Sequence, residues 1–265
     1  MIPIKQEQPA LLDLRHVSVM RGTKLALNDL TLCIEPGEHV AILGPNGCGK
    51  STLIKTLTRE CYPLAREESS ISILGRERWN VFELRPLLGL VSNDLMSTCT
   101  REITGREAVL SGFFSSIGVW PNHEVTTAMV DKADEILKKL EAPHLADRFV
   151  TEMSSGEARR IVIGRALVHD PMALLLDEPS TSLDIPAQHE LSQTLRKLAQ
   201  SGVGILLVTH HLSDIIPEIE RVILLRNGEI AGDGPKEELL TAERLTILFG
   251  RPVDLVRRDG YFHAW

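Results

Sequence analysis

The sequence predicts an α/β protein with a mostly parallel sheet core, an N-terminal antiparallel β subdomain and an inserted α-helical lobe. Residues 38–43, 172–177 and 204–209 are nearly continuous apolar runs, which are typical of strands covered on both faces in a parallel sheet. Between the last two runs, residues 186–202 have helical periodicity and end at a glycine. A β-α-β unit with parallel strands is the economical arrangement.

Two runs near the N-terminus predict the antiparallel β subdomain. Residues 11–20 and 25–34 are rich in β-forming residues. Gly22 and the pair Pro36-Gly37 supply turn signals after each of them. We therefore expect short antiparallel strands before the parallel sheet begins.

The helical lobe is predicted because no convincing buried strand occurs from about residue 95 to residue 168. Within it, residues 124–143 carry apolar residues at helical spacing and end at Pro143. Residues 109–120 are more apolar than a solvated helix needs; they form either the core of the lobe, which we favour, or a docking surface for a partner. The predicted apolar helix face consists of Val125, Ala128, Met129, Ala133, Ile136, Leu137 and Leu140.

The chain is predicted to form one main domain and a small appendage. Near the end, Asp259-Gly260 stands between two strand-like runs, which is a strong signal for a type I′ hairpin. We expect the main domain over residues 10–245 and the hairpin appendage over residues 246–265.

Composition and charge exclude several classes of protein. The formal net charge of -7 over 265 residues argues against nucleic acid as the main partner. The four cysteines form no CxxC pair, so neither a zinc site nor a disulfide framework is indicated and a reducing compartment is the simplest setting. No apolar run approaches the roughly 18 residues that span a bilayer, so direct membrane insertion is not expected.

A phosphate-binding loop is predicted between the buried strand at residues 38–43 and a helix that is predicted over residues 50–58. Residues 44–51 fit the pattern G-x-x-x-x-G-K-[ST]. Glycines let backbone amides turn inward around a phosphate, Lys50 neutralises phosphate oxygens, and Ser51 is the natural magnesium ligand. A bare glycine-rich turn is the alternative, but the strand-loop-helix context favours a site. The predicted binding residues are Gly44, Pro45, Asn46, Gly47, Cys48, Gly49, Lys50, Ser51 and Thr52.

Cys48 lies inside this loop, just before the predicted helix. Thiolates are favoured at helix N-termini, so we expect alkylation of Cys48 to block nucleotide binding and ATP to protect it. The alternative, which we favour, is a small residue that the loop merely tolerates.

Two adjacent carboxylates follow the buried run at residues 172–177. Asp177 and Glu178 leave the end of a parallel strand, where ligands of open α/β folds bind. Asp177 can hold a magnesium ion through water, and Glu178 can orient and deprotonate an attacking water. A strand that ends in polar residues for solvation is the alternative, which the upstream phosphate loop disfavours.

The segment that begins at Ser154 has two interpretations. Ser154 and Glu157 fit a capping box ahead of an amphipathic run, which as pure structure only starts a helix. A serine hydroxyl and exposed amides at a helix start also make an anion site.

The order of the phosphate loop, "SSGE", "LLLDEP", "SLD" and "VTH" resembles that of the ATP-binding-cassette (ABC) ATPases, over about residues 12–234. The resemblance implies a P-loop NTPase fold, ATP hydrolysis, and ATP and Mg²⁺ as cofactors. It also implies that Asp184 is the acidic residue of the D-loop at a dimer interface, and that His210 is the switch histidine that senses the γ-phosphate. Four residues correspond to the signature motif, which would contact ATP bound to a second subunit: Ser154, Ser155, Gly156 and Glu157.

Three residues depart from the pattern of the family. Asn93 stands where a glutamine usually contacts magnesium-bound water, and its side chain is one methylene shorter. Arg21 occupies the place of an aromatic residue that stacks on adenine, although a guanidinium can also stack on a base. Ser155 replaces a glycine, and its side chain limits how closely the backbone approaches a phosphate.

The resemblance implies a homodimer that drives membrane permease subunits from the cytoplasmic face of the membrane, with the helical lobe and the Asn93 region as the docking groove. The one-domain size resembles importer ATPases, for metal chelates or oxyanions. The alternative is a soluble ABC-type ATPase that is not coupled to transport, either associated with nucleic acid or ribosomes or acting as a regulatory ATP-binding module.

Overall fold

A computed structural model describes residues 9–93, 95 and 102–265. The strands are β1 (Leu12–Arg21), β2 (Lys24–Ile34), β3 (His39–Leu43), β4 (Ser70–Ile73), β5 (Leu88–Val91), β6 (Ala173–Asp177), β7 (Gly204–Thr209), β8 (Arg221–Arg226), β9 (Glu229–Pro235), β10 (Leu255–Arg258) and β11 (Tyr261–Ala264). The helices are α1 (Lys50–Leu57), α2 (Val81–Leu84), α3 (Gly105–Leu110), α4 (Thr127–Lys139), α5 (Ser155–Leu167), α6 (Ile185–Gln200), α7 (Lys236–Leu239) and α8 (Ala242–Phe249).

The central sheet has six strands in the order β5-β6-β7-β3-β8-β9. All neighbouring pairs are parallel except β8 and β9, which form an antiparallel hairpin at one edge. A separate antiparallel sheet has the order β2-β1-β4. The mostly parallel core and the antiparallel N-terminal strands are as the sequence predicts.

The central strands are buried on both faces, which explains their continuous apolar runs. Alternate residues of β3 enter two different core clusters: Ala41 and Leu43 pack on the side of the helices α3 to α6, whereas Val40 and Ile42 pack toward the N-terminal sheet. β6 and β7 divide their side chains in the same way. The carboxyl ends of these three strands carry the loop before α1 and the residues around Glu178 and His210.

The residues between β5 and β6 that the structure describes are mainly helical. In α4, Ala133, Ile136 and Leu137 are buried as predicted. Val125 and Ala128 are exposed, because the helix begins only after the cap at Thr126 and its first turn projects beyond the core. The predicted start of the lobe, at about residue 95, adjoins residues 96–101, which lie outside the described part of the chain.

The apolar segment over residues 109–120 is mostly core. Val109, Leu110 and Gly112 are buried, and a Cβ on Gly112 would overlap the carbonyl oxygen of Arg165. Trp120 at its end is 48% exposed.

The C-terminal strands β10 and β11 form the predicted hairpin around Asp259 and Gly260. Both turn residues have positive φ, 52° and 83°, as a type I′ turn requires. Phe262 is buried in the larger core cluster. Among the described residues, none of the helices combines the length and the apolar character that crossing a bilayer requires.

Candidate active site

The loop between β3 and α1 follows a path that only glycine permits at several points. Gly47 and Gly49 have φ values of 77° and 116°, in the region that residues with a Cβ rarely adopt. A Cβ on Gly44 would overlap the carbonyl oxygen of Leu225. The glycines therefore allow the loop to curl tightly while it lies against the neighbouring strand β8.

The first turn of α1 lacks the side-chain cap that other long helices of this chain have. Its N-cap is Gly49, and no side chain accepts a hydrogen bond from its first amides. By contrast, Ser154 caps α5 and Asp184 caps α6. Unclaimed amides at a helix N-terminus, at the end of a glycine-rich loop, provide a binding site for phosphate.

Lys50 points back into the loop. Its side chain is 4% exposed, and its ammonium donates to the carbonyl oxygens of Gly44 at 2.8 Å and Pro45 at 3.1 Å. The same Nζ lies 3.6 Å from Oε1 of Glu178. A buried ammonium is thus held by neutral carbonyls on one side and faces a carboxylate on the other, so a polyphosphate has a cation positioned for it.

Asp177 and Glu178 lie at the carboxyl end of β6, next to β7. The Glu178 amide donates to the carbonyl of Val208 at 2.8 Å, and Glu178 has a φ of 47°, which is uncommon for a residue with a side chain. Its Oε1 lies 2.9 Å from Nδ1 of His210. One carboxylate oxygen therefore faces both Lys50 and His210.

A cleft of about 460 Å³ opens over this loop. It contains most of the predicted phosphate-loop residues and adds Lys24 and Ala26, which the sequence analysis misses. Lys24 pairs with Arg21 across the turn between β1 and β2. Because Arg21 was already a predicted binding residue, this pairing could have predicted that Lys24 also lines the cleft. The lining is Arg21, Lys24, Ala26, Asn46, Gly47, Gly49, Lys50, Ser51, Thr52 and Glu178.

Arg21 is exposed at the rim of the cleft. Its Nη1 lies 3.4 Å from Sγ of Cys61, so a thiol rather than a carboxylate holds the guanidinium. Together with Lys24 it makes this end of the cleft cationic.

Asn93 follows β5 and contacts the main chain of Glu178. Its Nδ2 lies 3.5 Å from the Glu178 carbonyl oxygen, and its Oδ1 accepts from Nη2 of Arg159 at 2.9 Å. Arg159 is a further residue that the sequence analysis misses. Burial lowers the pKa of its guanidinium to about 10, so it is still charged at neutral pH.

The predicted signature residues lie elsewhere. None of the four lines the cleft around Lys50, within the described residues. Ser154 and Glu157 form the predicted capping box at the start of α5, with the Ser154 amide donating to Glu157 at 2.8 Å and the Glu157 amide donating to Ser154 at 3.2 Å. The hydrogen bond from the Ser154 amide to the carboxylate is the main cause that lowers the pKa of Glu157. Ser155 is exposed.

The starts of α5 and α6 pack against each other. A Cβ on Gly156 would lie 2.9 Å from the Cβ of Ala187, so only glycine allows this approach. Asp184 accepts from the amide of Ala187 at 2.9 Å. Ile185, the next residue, is 83% exposed. The signature residues and the predicted D-loop residue therefore occupy one surface.

The environment of Cys48 does not favour the thiolate on which the expected alkylation rests, and the alkylation itself stays a prediction. Cys48 is 3% exposed, and its burial raises the pKa of the thiol more than the nearby Lys50 lowers it. Its sulfur fills space beside Gly44, which is the structural role that the sequence left as the alternative.

The oxygen atoms near the loop suit Mg²⁺. This ion usually takes one or two protein oxygens and completes its shell with water and phosphate. Ser51 is exposed in the first turn of α1, and Asp177 ends β6 without being fully buried. A hydroxyl at the phosphate loop and a carboxylate next to Glu178 are oxygen donors of the kind that this ion accepts.

Comparisons with known proteins agree with this geometry. A sequence model for the family described as ABC transporter matches residues 27–181, more than half of the chain. The uncharacterized ABC transporter ATP-binding protein YlmA of Bacillus subtilis (strain 168) is 35% identical over 251 residues, which cover 93% of each protein. The hemin import ATP-binding protein HmuV of Aliivibrio fischeri (strain ATCC 700601 / ES114) is 31% identical and covers 89% of this chain and 88% of that protein.

A solved structure extends the comparison. It is a dimeric ATP-binding cassette in a post-hydrolysis state, bound to ADP and Pi. It superimposes with a TM-score of 0.69 at 26% identity, over 84% of this chain and 98% of that chain. The phosphate loop, the carboxylates beside it and these relatives lead to one conclusion: the chain belongs to the ABC transporter family, as an ATP-binding subunit that hydrolyses ATP.

Proposed function

We propose that two copies of this chain associate head to tail around two ATP·Mg²⁺ and drive membrane permease subunits of an importer. One observation carries the dimer. Lys50 and Glu178 line one cleft and His210 contacts Glu178, whereas the signature residues form a separate surface at the start of α5. A second copy that presents its α5 to this cleft would complete the site, and the dimeric relative supports such an association.

In this proposal each side chain at the cleft has one task. Glu178 accepts a proton from the attacking water, and His210 orients the Glu178 carboxylate through their 2.9 Å contact. Lys50 leaves its loop carbonyls to neutralise phosphate oxygens. Ser51 and Asp177 would hold Mg²⁺, which supplies charge neutralisation when bound.

The binding residues have complementary tasks. Gly44 to Thr52 wrap the phosphates, Arg21 contacts the base, and Asn93 approaches the metal-bound water. The partner's signature residues approach the γ-phosphate. Asp184 lies at the interface between the copies.

A groove of about 340 Å³ supports docking of a permease segment. It lies between α1, α2, β5 and α5, where the sheet meets the helical lobe. Its lining includes the apolar residues Leu84, Leu90 and Ile117 beside Arg85 and His169. An apolar segment of a permease loop with an acidic flank would fit these side chains.

Import is proposed because one relative is named as a hemin importer; metal chelates or oxyanions are the proposed cargo class. The chain would then sit peripherally at the cytoplasmic face of the membrane. A soluble ABC-type ATPase without a permease is the second candidate. Isolation of the native complex separates them, since a polytopic permease supports transport, whereas ribosomes, nucleic acid or a soluble target support the second candidate.

The test of the active site is Glu178→Gln. Turnover is expected to fall on the order of 10²–10⁴-fold because the base is lost. ATP-dependent dimerisation, measured by analytical ultracentrifugation, is expected to persist because the amide keeps the volume of the carboxylate. Glu190→Gln, at an exposed position on α6, is the control and should leave both unchanged. Unchanged turnover in Glu178→Gln would place the base elsewhere.

A further inference from the structure

Arg159 is a buried cation that the proposed mechanism does not use. It lies on α5, three residues after Gly156, and is 3% exposed. The hydrogen bonds that it makes within the described residues go to neutral oxygen atoms, Oδ1 of Asn93 at 2.9 Å and the carbonyl of Thr181 at 3.3 Å. Both bonds use the same nitrogen, Nη2.

This arrangement is costly for the fold. Nε and Nη1 of Arg159 are buried without a hydrogen-bond partner among the described residues. A buried charge with unsatisfied donors is less favourable than an apolar side chain of similar size. A residue that served packing alone would gain nothing from the guanidinium.

Nη2 holds two segments of the active site to α5. The Asn93 side chain bridges Arg159 and the Glu178 main chain, and the two contacts together identify which end of its carboxamide is oxygen. That oxygen has two lone pairs, and Arg159 takes one of them. Thr181 lies between Glu178 and Asp184, so its carbonyl ties the segment after the proposed base to the same guanidinium.

We propose that Arg159 is a positioning residue for ATP hydrolysis, which holds Asn93 and Thr181 in register with the helix that carries the signature residues. The guanidinium touches neither the phosphate loop nor the cleft, and it acts through Asn93. The inference rests on the role proposed above for Asn93.

The first test is turnover of Arg159→Met, which keeps an unbranched apolar stem like that of arginine and removes its donors. We expect kcat to fall about tenfold while KM for ATP changes less than about twofold, because the phosphate loop is untouched. Arg159→Lys keeps a charge and a donor and is expected to recover part of the loss. Arg160→Met is the matched control: the neighbouring arginine pairs with Glu190 and not with Asn93, so kcat should not change.

The second test does not depend on turnover. Calorimetry in a Glu178→Gln background gives the factor by which magnesium strengthens ATP binding. Arg159→Met and Asn93→Ala are each expected to reduce this factor about threefold. The double variant is expected to reduce it no further, because the effects of two residues that act as one unit do not add. If Arg159→Met does not fold, Arg159→Lys enters the same cycle.

The outcomes separate this inference from the proposal it rests on. Additive losses in the double variant would assign Arg159 a role in stability alone and overturn the inference. If Asn93→Ala reduced the magnesium factor and Arg159→Met left it unchanged, only the inference would be overturned. If Asn93→Ala left the magnesium factor unchanged, the role proposed for Asn93 would be overturned, and the inference with it.

Discussion

Lys50 illustrates how one residue prepares a site before its ligand arrives. The loop carbonyls of Gly44 and Pro45 satisfy its ammonium at 2.8 and 3.1 Å, which lets a charged group stay 4% exposed. These carbonyl oxygens are neutral, and the Glu178 carboxylate at 3.6 Å is the charged group that faces the ammonium. A triphosphate offers stronger, charge-assisted hydrogen bonds in their place.

Lys50→Ala is therefore expected to weaken ATP binding about 100-fold, since at least one charge-assisted contact to phosphate is lost. Calorimetry with Mg²⁺ and ATP measures this directly. The control is Lys197→Ala, which removes an exposed pair with Glu141 outside the cleft. Tight ATP binding by Lys50→Ala would argue against the phosphate loop as the cradle.

The site residues that belong to a sequence motif could be predicted, but the contacts between side chains could not. The glycines, Lys50 and the pair Asp177-Glu178 follow from spacing, and the structure brings the lysine and the glutamate within 3.6 Å. Arg159 carries no such signal, because a charged residue on an amphipathic helix predicts solvent exposure. At Cys48, the position before a helix favours a thiolate, whereas burial raises the pKa of the thiol.

At the scale of elements, the start of α5 combines a helix cap with a candidate anion site. Oγ of Ser154 accepts from the Glu157 amide at 3.2 Å, so the oxygen is used by the cap. The hydroxyl group of Ser154 also hydrogen-bonds the Glu157 carboxylate and helps to lower its pKa. A bound anion would therefore compete with Glu157 for the hydroxyl proton.

Substitutions at Ser154 separate these two roles. Ser154→Ala removes the cap and is expected to cost about 1 kcal/mol of unfolding free energy, together with ATP-dependent dimerisation. Ser154→Asp keeps a cap and places a negative charge where the partner's phosphate would lie. Chemical denaturation should give it near wild-type stability, while ultracentrifugation should find no ATP-dependent dimer. Dimerisation of Ser154→Asp at the wild-type ATP concentration would contradict the head-to-tail arrangement.

Elements with a strong period were predictable to within a few residues. β3, β6 and β7 were predicted from apolar runs, because a strand buried on both faces has no polar side. β8 has the same kind of run, with four buried residues, and could have been found by that signal. β4 and β5 have only four residues each with alternating burial, which is too short a pattern to separate from a loop.

For the whole molecule, the C-terminal hairpin is attached more firmly than an appendage suggests. Tyr261 lies 2.8 Å from Ser192 of α6 through their hydroxyl groups. Phe262 is 4% exposed within the larger core cluster. The boundary predicted at residue 246 is a statement about folding units, which contacts alone do not decide.

Phe262→Ala is expected to lower the unfolding free energy by about 3 kcal/mol, the usual cost of emptying an aromatic site in a core. If the hairpin folds with the rest, calorimetric unfolding of this variant should stay a single transition at a lower temperature. His263→Ala, an exposed neighbour on β11, is the control. A separate early transition, with the main one unmoved, would support an independent appendage.

The fold of the whole chain was predictable and the completed site was not. Buried runs and their order specify a parallel sheet, and the carboxyl ends of its strands place the phosphate loop beside Glu178. The separation of the signature residues from Lys50 depends on how α5 leaves the sheet, through packing such as that of Gly156 on Ala187. Nothing in local periodicity encodes such a distance.

The turn between β8 and β9 touches the phosphate loop from behind. The Gly228 amide donates to the carbonyl of Cys48 at 2.7 Å, and its own carbonyl accepts from the amide of Asn28 at 2.9 Å. The turn between β8 and β9, which is distant in sequence, thus lies between the phosphate loop and the N-terminal sheet and is hydrogen-bonded to both. Lengthening that turn by one residue would therefore disturb nucleotide binding as much as a change in the phosphate loop, although the turn does not line the cleft.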